Sequence, residues 1–415
     1  MKVIDFILKY VNPSKKSLLF TDQEINTCFS GLPTLIKKGY SFGIIDQKTL
    51  CYFKQELEST PFSSLYTLKS VLKEQHLICF SSNSSGNPKA VQRTFTSWIH
   101  SFNIQQHLLD YPRDSSSLII GSLSHSLHFF GLLESFHRKL IPNILPVFSA
   151  KRFFEACNSS QPNIVYATPP HISILIKHFK QSSCLPIESI NFVLIGGAQV
   201  NSTLISEFQQ IVPNAQIRVF FGATETSYIS IKTPSCPVDS VGKLCPNVNV
   251  EILDENQKPV INYTKGSIWV KSDQLYSKII LGNDSTLHNK RGFICVGDLG
   301  YLDDSNHLYF CGRSDLSITI AGKKVSLELI EKTLKKYLKT EEVVVINKPN
   351  VLKENELVAI TSKRISYRNI KEILSHLRTE LGALSTPKKN IHIKSWPLLA
   401  SGKTDRMHLK KTALT

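Results

Sequence analysis

The sequence predicts an α/β protein with a large layered N-terminal domain, built on parallel sheets with a small β appendage, and a smaller α+β C-terminal domain. From about residue 77, short apolar runs alternate with helix-like stretches, which is typical of parallel strands covered on both faces. After Pro246 the runs become shorter and are joined by Gly and Asp turns. From Ser326, apolar residues recur at helical spacing.

The predicted strands of the large domain end in small or polar residues. In chain order they are LICF, SLIIGS, NILPVF, NIVYAT, NFVLIGG and QIRVFFG. Helix-like stretches separate them, and a helix through Trp98 and Phe102 is expected soon after the first. Because ligands of α/β sheets bind at the carboxyl ends of strands, the loops after these strands are expected to carry the function.

The C-terminal region has its own helical and strand signals. Ser326 and Ser366 are expected to cap two amphipathic helices, and Gly382 is expected to end the second. EEVVVIN and ELVAITS are predicted strands between the helices. We expect residues 1–314 to form the core, abbreviated at its start, and residues 315–415 to form the C-terminal domain.

Composition excludes several classes of function. The net charge of +16 attracts anions but does not choose among them, because charges beyond a Debye length of about 8 Å are screened. Basic and aromatic residues are not interleaved as in nucleic-acid platforms, so no nucleic acid is expected. The nine cysteines never form C-x-x-C, which argues against zinc. No run approaches 18 apolar residues, so no membrane span is expected and a cytoplasmic location is predicted.

A hydroxyl-rich loop follows the first predicted strand. Hydroxyls, backbone N–H groups, a glycine and a lysine supply donors for a phosphate chain. The alternative is a solvated turn. The candidate residues are Ser81, Ser82, Ser84, Ser85, Gly86 and Lys89.

A second candidate segment is FFGATET, at the end of a later strand. Phe221 and Gly222 precede Thr224 and Glu225, and a carboxylate beside a hydroxyl is a suitable Mg²⁺ ligand set. The alternative for Glu225 is an exposed loop acid.

Two further candidates lie nearer the C-terminus. Asp298 and Arg313 flank a hairpin-like stretch, and together they offer an acceptor and donors to a diol such as ribose. The alternative is a surface ion pair, worth about 0 to 1 kcal/mol. Lys403 follows Ser-Gly on a small-residue turn, where it is either solvated or brought to an anionic reaction centre.

In this order, the segments resemble the motifs of the adenylate-forming superfamily, which includes acyl-CoA synthetases, firefly luciferase and peptide-synthetase adenylation domains. The resemblance covers roughly residues 77 to 410. Within the superfamily, SLSHSLHFFGLL, FFGATETSYIS and VDSVGKLCPNV resemble a short branch, the fatty acid–CoA ligases of the VraA type.

The resemblance implies ATP, Mg²⁺ and either CoA or a phosphopantetheine carrier as the partners of a small-molecule carboxylic acid. It implies pyrophosphate binding by the loop from Ser81 to Lys89, and a mobile C-terminal domain that turns about Asp315 and carries the catalytic Lys403. It also implies that Gly196, Gly197 and Ala198 border the adenine, and that Phe221, Gly222, Thr224 and Glu225 form the segment that binds the metal and the nucleotide. Asp298 and Arg313 are implied to bind the ribose. The residue beside the acyl carboxylate is implied to be His125 or its neighbour His128.

The sequence departs from the superfamily pattern at several positions. Asn83 replaces the first glycine of the loop, Phe221 a tyrosine, Val296 a threonine and Thr319 a lysine. Only residues 1–80 precede the loop, where the superfamily has a whole subdomain.

The implied reaction is activation of a carboxylic acid to an acyl-adenylate, followed by thioester formation with CoA. The VraA-like segments favour a fatty acid. Two alternatives remain open: a stand-alone enzyme that loads an acyl or aryl acid onto a carrier protein, and a degenerate binding protein without catalysis. The apolar candidates for the acid pocket, which could equally be core residues, are Leu127, Phe129, Phe130, Trp98 and Phe220.

Overall fold

A computed structural model describes most of the chain from residue 76 and short segments before it. The described residues are 17–21, 41–46, 49, 76–82, 88–108, 115–197, 200, 202–282, 284–320, 323–340, 342–350, 354–398 and 404–414.

Strands dominate the described residues. In chain order they are β1 (Ser17–Thr21), β2 (Ser41–Ile45), β3 (His76–Ser82), β4 (Pro88–Thr94), β5 (Ser116–Ile120), β6 (Ile141–Leu145), β7 (Ile164–Ala167), β8 (Phe192–Ile195), β9 (Gln216–Ala223), β10 (Ser227–Lys232), β11 (Gly242–Leu244), β12 (Asn249–Leu253), β13 (Gly266–Lys271), β14 (Lys278–Leu281), β15 (Leu287–His288), β16 (Ile294–Cys295), β17 (Asp298–Leu302), β18 (His307–Arg313), β19 (Ser317–Ile320), β20 (Lys323–Ser326), β21 (Val343–Asn350), β22 (Glu354–Thr361) and β23 (Lys389–His392).

The α-helices lie between and after these strands. They are α1 (Phe95–Leu108), α2 (Ser126–Arg138), α3 (Ala150–Ser160), α4 (Pro169–Gln181), α5 (Ser202–Gln209), α6 (Leu327–Leu338), α7 (Tyr367–Leu381) and α8 (Arg406–Leu414). Among the described helices, none combines the length and the hydropathy that a bilayer crossing requires.

The largest sheet confirms the predicted α/β fold. Its strand order is β15-β16-β13-β17-β18-β11-β10-β9-β8-β7-β5-β6, with β12 paired to β13. Neighbours from β6 to β9 are parallel, and α2 to α5 alternate with them along the chain. The predicted β appendage is hydrogen-bonded into this same sheet, because the antiparallel β9–β10 pair continues it edge to edge.

A second sheet has the order β1-β2-β3-β4-β14. Here the structure corrects one expectation. The sequence predicts Lys89 in the hydroxyl-rich loop that leads to a helix. Instead β3 and β4 form an antiparallel pair in which Ser81 lies opposite Lys89, and α1 starts only after β4. Lys89 is therefore held on a strand, which fixes its backbone better than a loop does.

Two clusters of buried side chains cover the faces of the parallel strands. Phe153, Ile172 and Phe208 belong to the cluster packed by α3, α4 and α5. On the opposite side, the rings of Trp98, Phe102, Phe129 and Phe130 pack edge to face with centroids 4.9–5.4 Å apart. Trp98 and Phe129 are each only 1% exposed, so these two pocket candidates are core residues.

The C-terminal segments build separate clusters. Helices α6 and α7 contribute Ile330, Leu334 and Leu377 to one that also contains residues of β21 and β22. Both predicted N-caps form, because Ser326 Oγ accepts from Leu329 N and Ser366 Oγ accepts from Asn369 N, each at 3.3 Å. The boundary between residues 314 and 315 stays a prediction.

Replacing the cap of α7 should weaken the C-terminal part. Ser366→Ala removes the acceptor for the Asn369 amide and should lower the free energy of unfolding by about 0.5–2 kcal/mol. Urea titration measures the loss. Ser375→Ala, an exposed change on the same helix, is the matched control and should be neutral or slightly stabilising. Equal effects of the two variants would contradict the capping role.

Candidate active site

The carboxyl ends of the parallel strands meet along one edge of the large sheet. Because β5, β7, β8 and β9 run in the same direction, the segments that follow them share this edge. His125, Thr168, Gly196 and Glu225 lie in those segments. The edge of an α/β sheet where strands end is the place where ligands bind.

A buried ion pair joins the two sheets at this edge. Lys89 of β4 donates from Nζ to Oε1 of Glu225, which lies in the turn between β9 and β10. The residues are only 8% and 3% exposed, so Glu225 is not the exposed loop acid of the alternative interpretation. The structure thus brings together the candidate phosphate-binding lysine and the candidate metal-binding acid, a pairing that the sequence did not reveal.

The turn that carries Glu225 is tight. A Cβ atom on Gly222 would lie 1.7 Å from the carbonyl oxygen of Ser227, so only glycine fits there. Ala223 N donates to Thr226 Oγ1 at 2.9 Å and closes the turn. Thr224, half-buried, precedes the acid, and Tyr276 N donates to the Glu225 carbonyl at 2.8 Å. Glu225 is therefore held by its backbone as well as by its side chain.

Asp298 and Arg313 come together as the hairpin signal predicted. They lie opposite each other in the β17–β18 pair, with Arg313 Nη1 3.4 Å from Asp298 Oδ1. Arg313 Nη2 also donates to the Val296 carbonyl at 3.0 Å. Asp298 is buried and Arg313 is partly exposed, so one end of the pair faces solvent.

Aromatic rings flank the ends of β8 and β9. A Cβ atom on Gly196 would lie 2.1 Å from the Phe220 ring, so glycine lets that ring cover the backbone. Gly197 has a φ of +88° and is exposed. The Phe221 ring lies 5.3 Å from that of Phe310 on β18, which connects the Glu225 turn to the hairpin that holds Asp298.

Of the two candidate histidines, His128 is completely buried. Its Nδ1–H donates to the Ser122 carbonyl at 2.8 Å, and burial lowers its pKa to about 4. His125 is partly exposed at the start of α2, and a β-bridge joins it to Phe80, just before the candidate phosphate loop. The geometry therefore gives His125 the more open position.

Two buried residues near the site escaped the sequence reasoning. His171 stacks on His128 with ring centroids 5.7 Å apart, and its Nδ1 accepts from Thr168. The sequence feature that could have revealed this contact is the start of the helix, Thr-Pro-Pro-His. Arg93 is completely buried, and its Nη1 donates to the Thr224 carbonyl at 2.8 Å. The sequence feature that could have revealed Arg93 is its position as a second cation, four residues after Lys89.

Several candidates are not placed. Ser84, Ser85, Gly86, Ala198 and Lys403 lie outside the described residues. Ser82 and Asp315 are described by their backbone only, at the end of β3 and in a 3₁₀ turn after β18.

Sequence comparison decides the family. The sequence pattern of the AMP-binding enzymes matches residues 23–279, more than half of the chain. The chain belongs to the AMP-binding enzyme family. This match runs from before β2 into the first two residues of β14 and includes both Lys89 and Glu225.

Individual relatives agree with this assignment. A Staphylococcus haemolyticus protein, VraA, provisionally named a long chain fatty acid-CoA ligase, is 26% identical over 91% of this chain and 81% of its own length. The D-alanine–D-alanyl carrier protein ligase of Bacillus licheniformis is 26% identical over 80% of this chain and 70% of its own. Both names are those of ligases.

Solved structures share the fold. O-succinylbenzoate coenzyme A synthetase from Bacillus subtilis, in complex with ATP and magnesium ion, superimposes with a TM-score of 0.74. The match covers 98% of this chain and 92% of that chain at 19% identity, so it establishes the fold.

Breaking the buried pair should destabilise the protein strongly. Lys89→Met or Glu225→Gln leaves one buried polar or charged group without its partner, and each should lower the free energy of unfolding by about 3–5 kcal/mol. Chemical denaturation of both single variants and the double variant gives the coupling energy. Lys180→Met, which removes the exposed pair with Glu207, is the control and should change the free energy of unfolding by only about 0–1 kcal/mol. A coupling near zero would contradict the pairing.

Stability should also depend on pH through His128. Its pKa is about 4 in the folded protein against 6.5 ordinarily, so between these values the unfolded state binds the extra proton and stability falls as pH decreases. One such group contributes at most about 1.4 kcal/mol per pH unit. His128→Gln should reduce the slope between pH 6.5 and 4, with His171 supplying part of the remainder, and exposed His100→Gln should not. Identical slopes for all three proteins would refute the assignment.

Proposed function

We propose that the protein is an AMP-forming acid–thiol ligase. It activates a carboxylic acid, a fatty acid in the first instance, as an acyl-adenylate and then transfers the acyl group to the thiol of CoA. The observation that carries this proposal is the buried Lys89–Glu225 pair, which puts a cation and a carboxylate at the strand-end edge of an AMP-binding enzyme. Phosphoryl chemistry of this kind depends on positioning and charge stabilisation.

The residues present suit a magnesium ion. Glu225 is a buried carboxylate and Thr224 beside it carries a hydroxyl, both hard oxygen ligands of the kind that Mg²⁺ takes. When bound, the ion would supply charge neutralisation for the phosphate oxygens. Lys89 would donate to the phosphate oxygens, as would the hydroxyls of Ser81, Ser82, Ser84 and Ser85 and the backbone at Gly86.

The other candidate residues would serve the remaining parts of an acyl-adenylate. Asp298 would accept hydrogen bonds from the ribose hydroxyls, and Arg313 would orient that carboxylate and donate to the same sugar. Gly196, Gly197 and Ala198 with the face of Phe221 would border the adenine, while Gly222 would allow the close approach. His125 would lie beside the carboxylate of the acid.

The catalytic lysine would come from the C-terminal domain, residues 315–415. Lys403 would place a positive charge between the acid carboxylate and the α-phosphate during adenylation. Rotation about Asp315 would then withdraw it before the thiol attacks. Hinges of this kind need only a few residues that absorb the backbone change.

A carrier protein is the second candidate acceptor. The net charge of +16 would suit an acidic carrier, and one relative is named a carrier protein ligase. Thioester formation with free CoA, compared with a purified phosphopantetheinylated carrier, separates the two acceptors. The cytoplasmic location stays a prediction.

ATP–pyrophosphate exchange in the presence of a carboxylic acid tests the function directly. The protein should exchange label with at least one member of a panel of fatty, aryl and amino acids, and Lys403→Ala should lower the rate about 10²- to 10³-fold. Lys394→Ala, an exposed change nearby in the sequence, is the matched control and should leave the rate unchanged. Well-folded protein without exchange for any acid would favour the degenerate binder.

A further inference from the structure

Arg93 is a buried cation to which neither the family match nor the proposed mechanism gives a role. It lies on β4 and is completely buried. Burial lowers the pKa of its guanidinium to about 10, so the group stays charged at neutral pH. A buried charge costs several kcal/mol unless its surroundings compensate it, so its contacts identify what it stabilises.

The guanidinium contacts three separate segments. Nη1 donates to the Thr224 carbonyl at 2.8 Å, Nη2 donates to the Gln274 carbonyl, and Nε lies 3.1 Å from Ser97 Oγ. The Trp98 ring lies beneath it, with the guanidinium carbon 5.0 Å from the ring centroid. The group therefore holds the turn before β10 and the link between β13 and β14 against α1.

Both held segments reach Glu225. Thr224 is its chain neighbour, so its carbonyl is part of the peptide unit that precedes Glu225. Gln274 lies two residues before Tyr276, whose N–H donates to the Glu225 carbonyl at 2.8 Å. The backbone on both sides of Glu225 is consequently fixed through one guanidinium.

Arg93 also approaches Glu225 from the same strand as Lys89. Residues four apart on a strand point to the same face, so β4 presents a lysine and an arginine towards one carboxylate. Lys89 pairs with the side chain of Glu225, whereas Arg93 binds backbone oxygens around it. The two cations have different tasks, since a lysine has no planar fork with which to reach two carbonyls and a hydroxyl at once.

We propose that Arg93 is a positioning residue that sets the Thr224–Glu225 turn in the geometry that receives the magnesium ion of the nucleotide. This inference rests on the proposed function for its reaction, and it adds a residue that acts on the metal site through the backbone. Outer partners of a metal ligand commonly change metal affinity about 10- to 100-fold when they are altered.

The test combines kinetics with hydrogen–deuterium exchange on the full chain. Arg93→Lys keeps the charge but loses the fork, and Arg93→Met removes both. In ATP–pyrophosphate exchange, the Mg²⁺ concentration for half-maximal rate should rise about 10- to 100-fold for Arg93→Lys, with the KM for the acid unchanged. Amides of the segment 220–229 should exchange faster in the same variant.

Arg138→Lys is the matched control. Arg138 is also largely buried and donates to a backbone carbonyl, that of Phe102, but it lies on α2 and pairs with Glu134. The control should leave the Mg²⁺ dependence and the 220–229 amides unchanged even if it lowers the melting temperature.

The outcomes separate this inference from the proposed function. Arg93→Lys with unchanged Mg²⁺ dependence and unchanged amide exchange overturns the positioning role, while Lys403→Ala still tests the reaction. If the parent protein shows no pyrophosphate exchange with any acid, the proposed function fails and the amide exchange decides. Faster exchange at 220–229 in both Arg93 variants but not in Arg138→Lys upholds the anchoring of the turn, and equal exchange in all variants overturns it.

Discussion

The buried pair between Lys89 and Glu225 is the contact on which the site depends. It joins β4 of one sheet to the β9–β10 turn of the other, and both side chains are almost completely buried, so each charge depends on its partner. Replacing such a pair by apolar residues is often neutral or stabilising, so stability alone does not explain its presence. Under the proposed function the pair has another use, because the same two groups would serve a phosphate chain and its metal ion.

The surroundings of the pair hold the turn that carries Glu225 in place. Because Gly222 has no side chain, its backbone lies so near Ser227 that a Cβ atom would collide with the Ser227 carbonyl. Phe221 packs on Phe310, so the turn and the hairpin with Asp298 and Arg313 belong to one packed edge. Preorganised groups of this kind need little rearrangement when charge develops.

The pattern of apolar residues predicted most of the fold because parallel strands buried on both faces have continuous apolar sequences. The central strands β7 (IVYA) and β8 (FVLI), which are buried along their whole length, follow this pattern, and the Ser326 and Ser366 caps follow from local hydrogen bonding. Strand β4 was not predicted because PKAVQRT carries a proline, a lysine and an arginine, and a buried strand holds such charges only when tertiary partners satisfy them. The hairpin of Asp298 and Arg313 was predictable from turn residues alone, whereas the Lys89–Glu225 and Arg93–Thr224 contacts join residues more than 130 positions apart.

Detection of the bound intermediate tests the central claim most directly. The purified protein is incubated with ATP, Mg²⁺ and a mixture of carboxylic acids in the absence of any thiol, and the retained small molecules are identified by mass spectrometry. The account predicts an acyl-adenylate from at least one acid, with release of pyrophosphate. Retention of unreacted ATP alone, or conversion to ADP and phosphate, would contradict it.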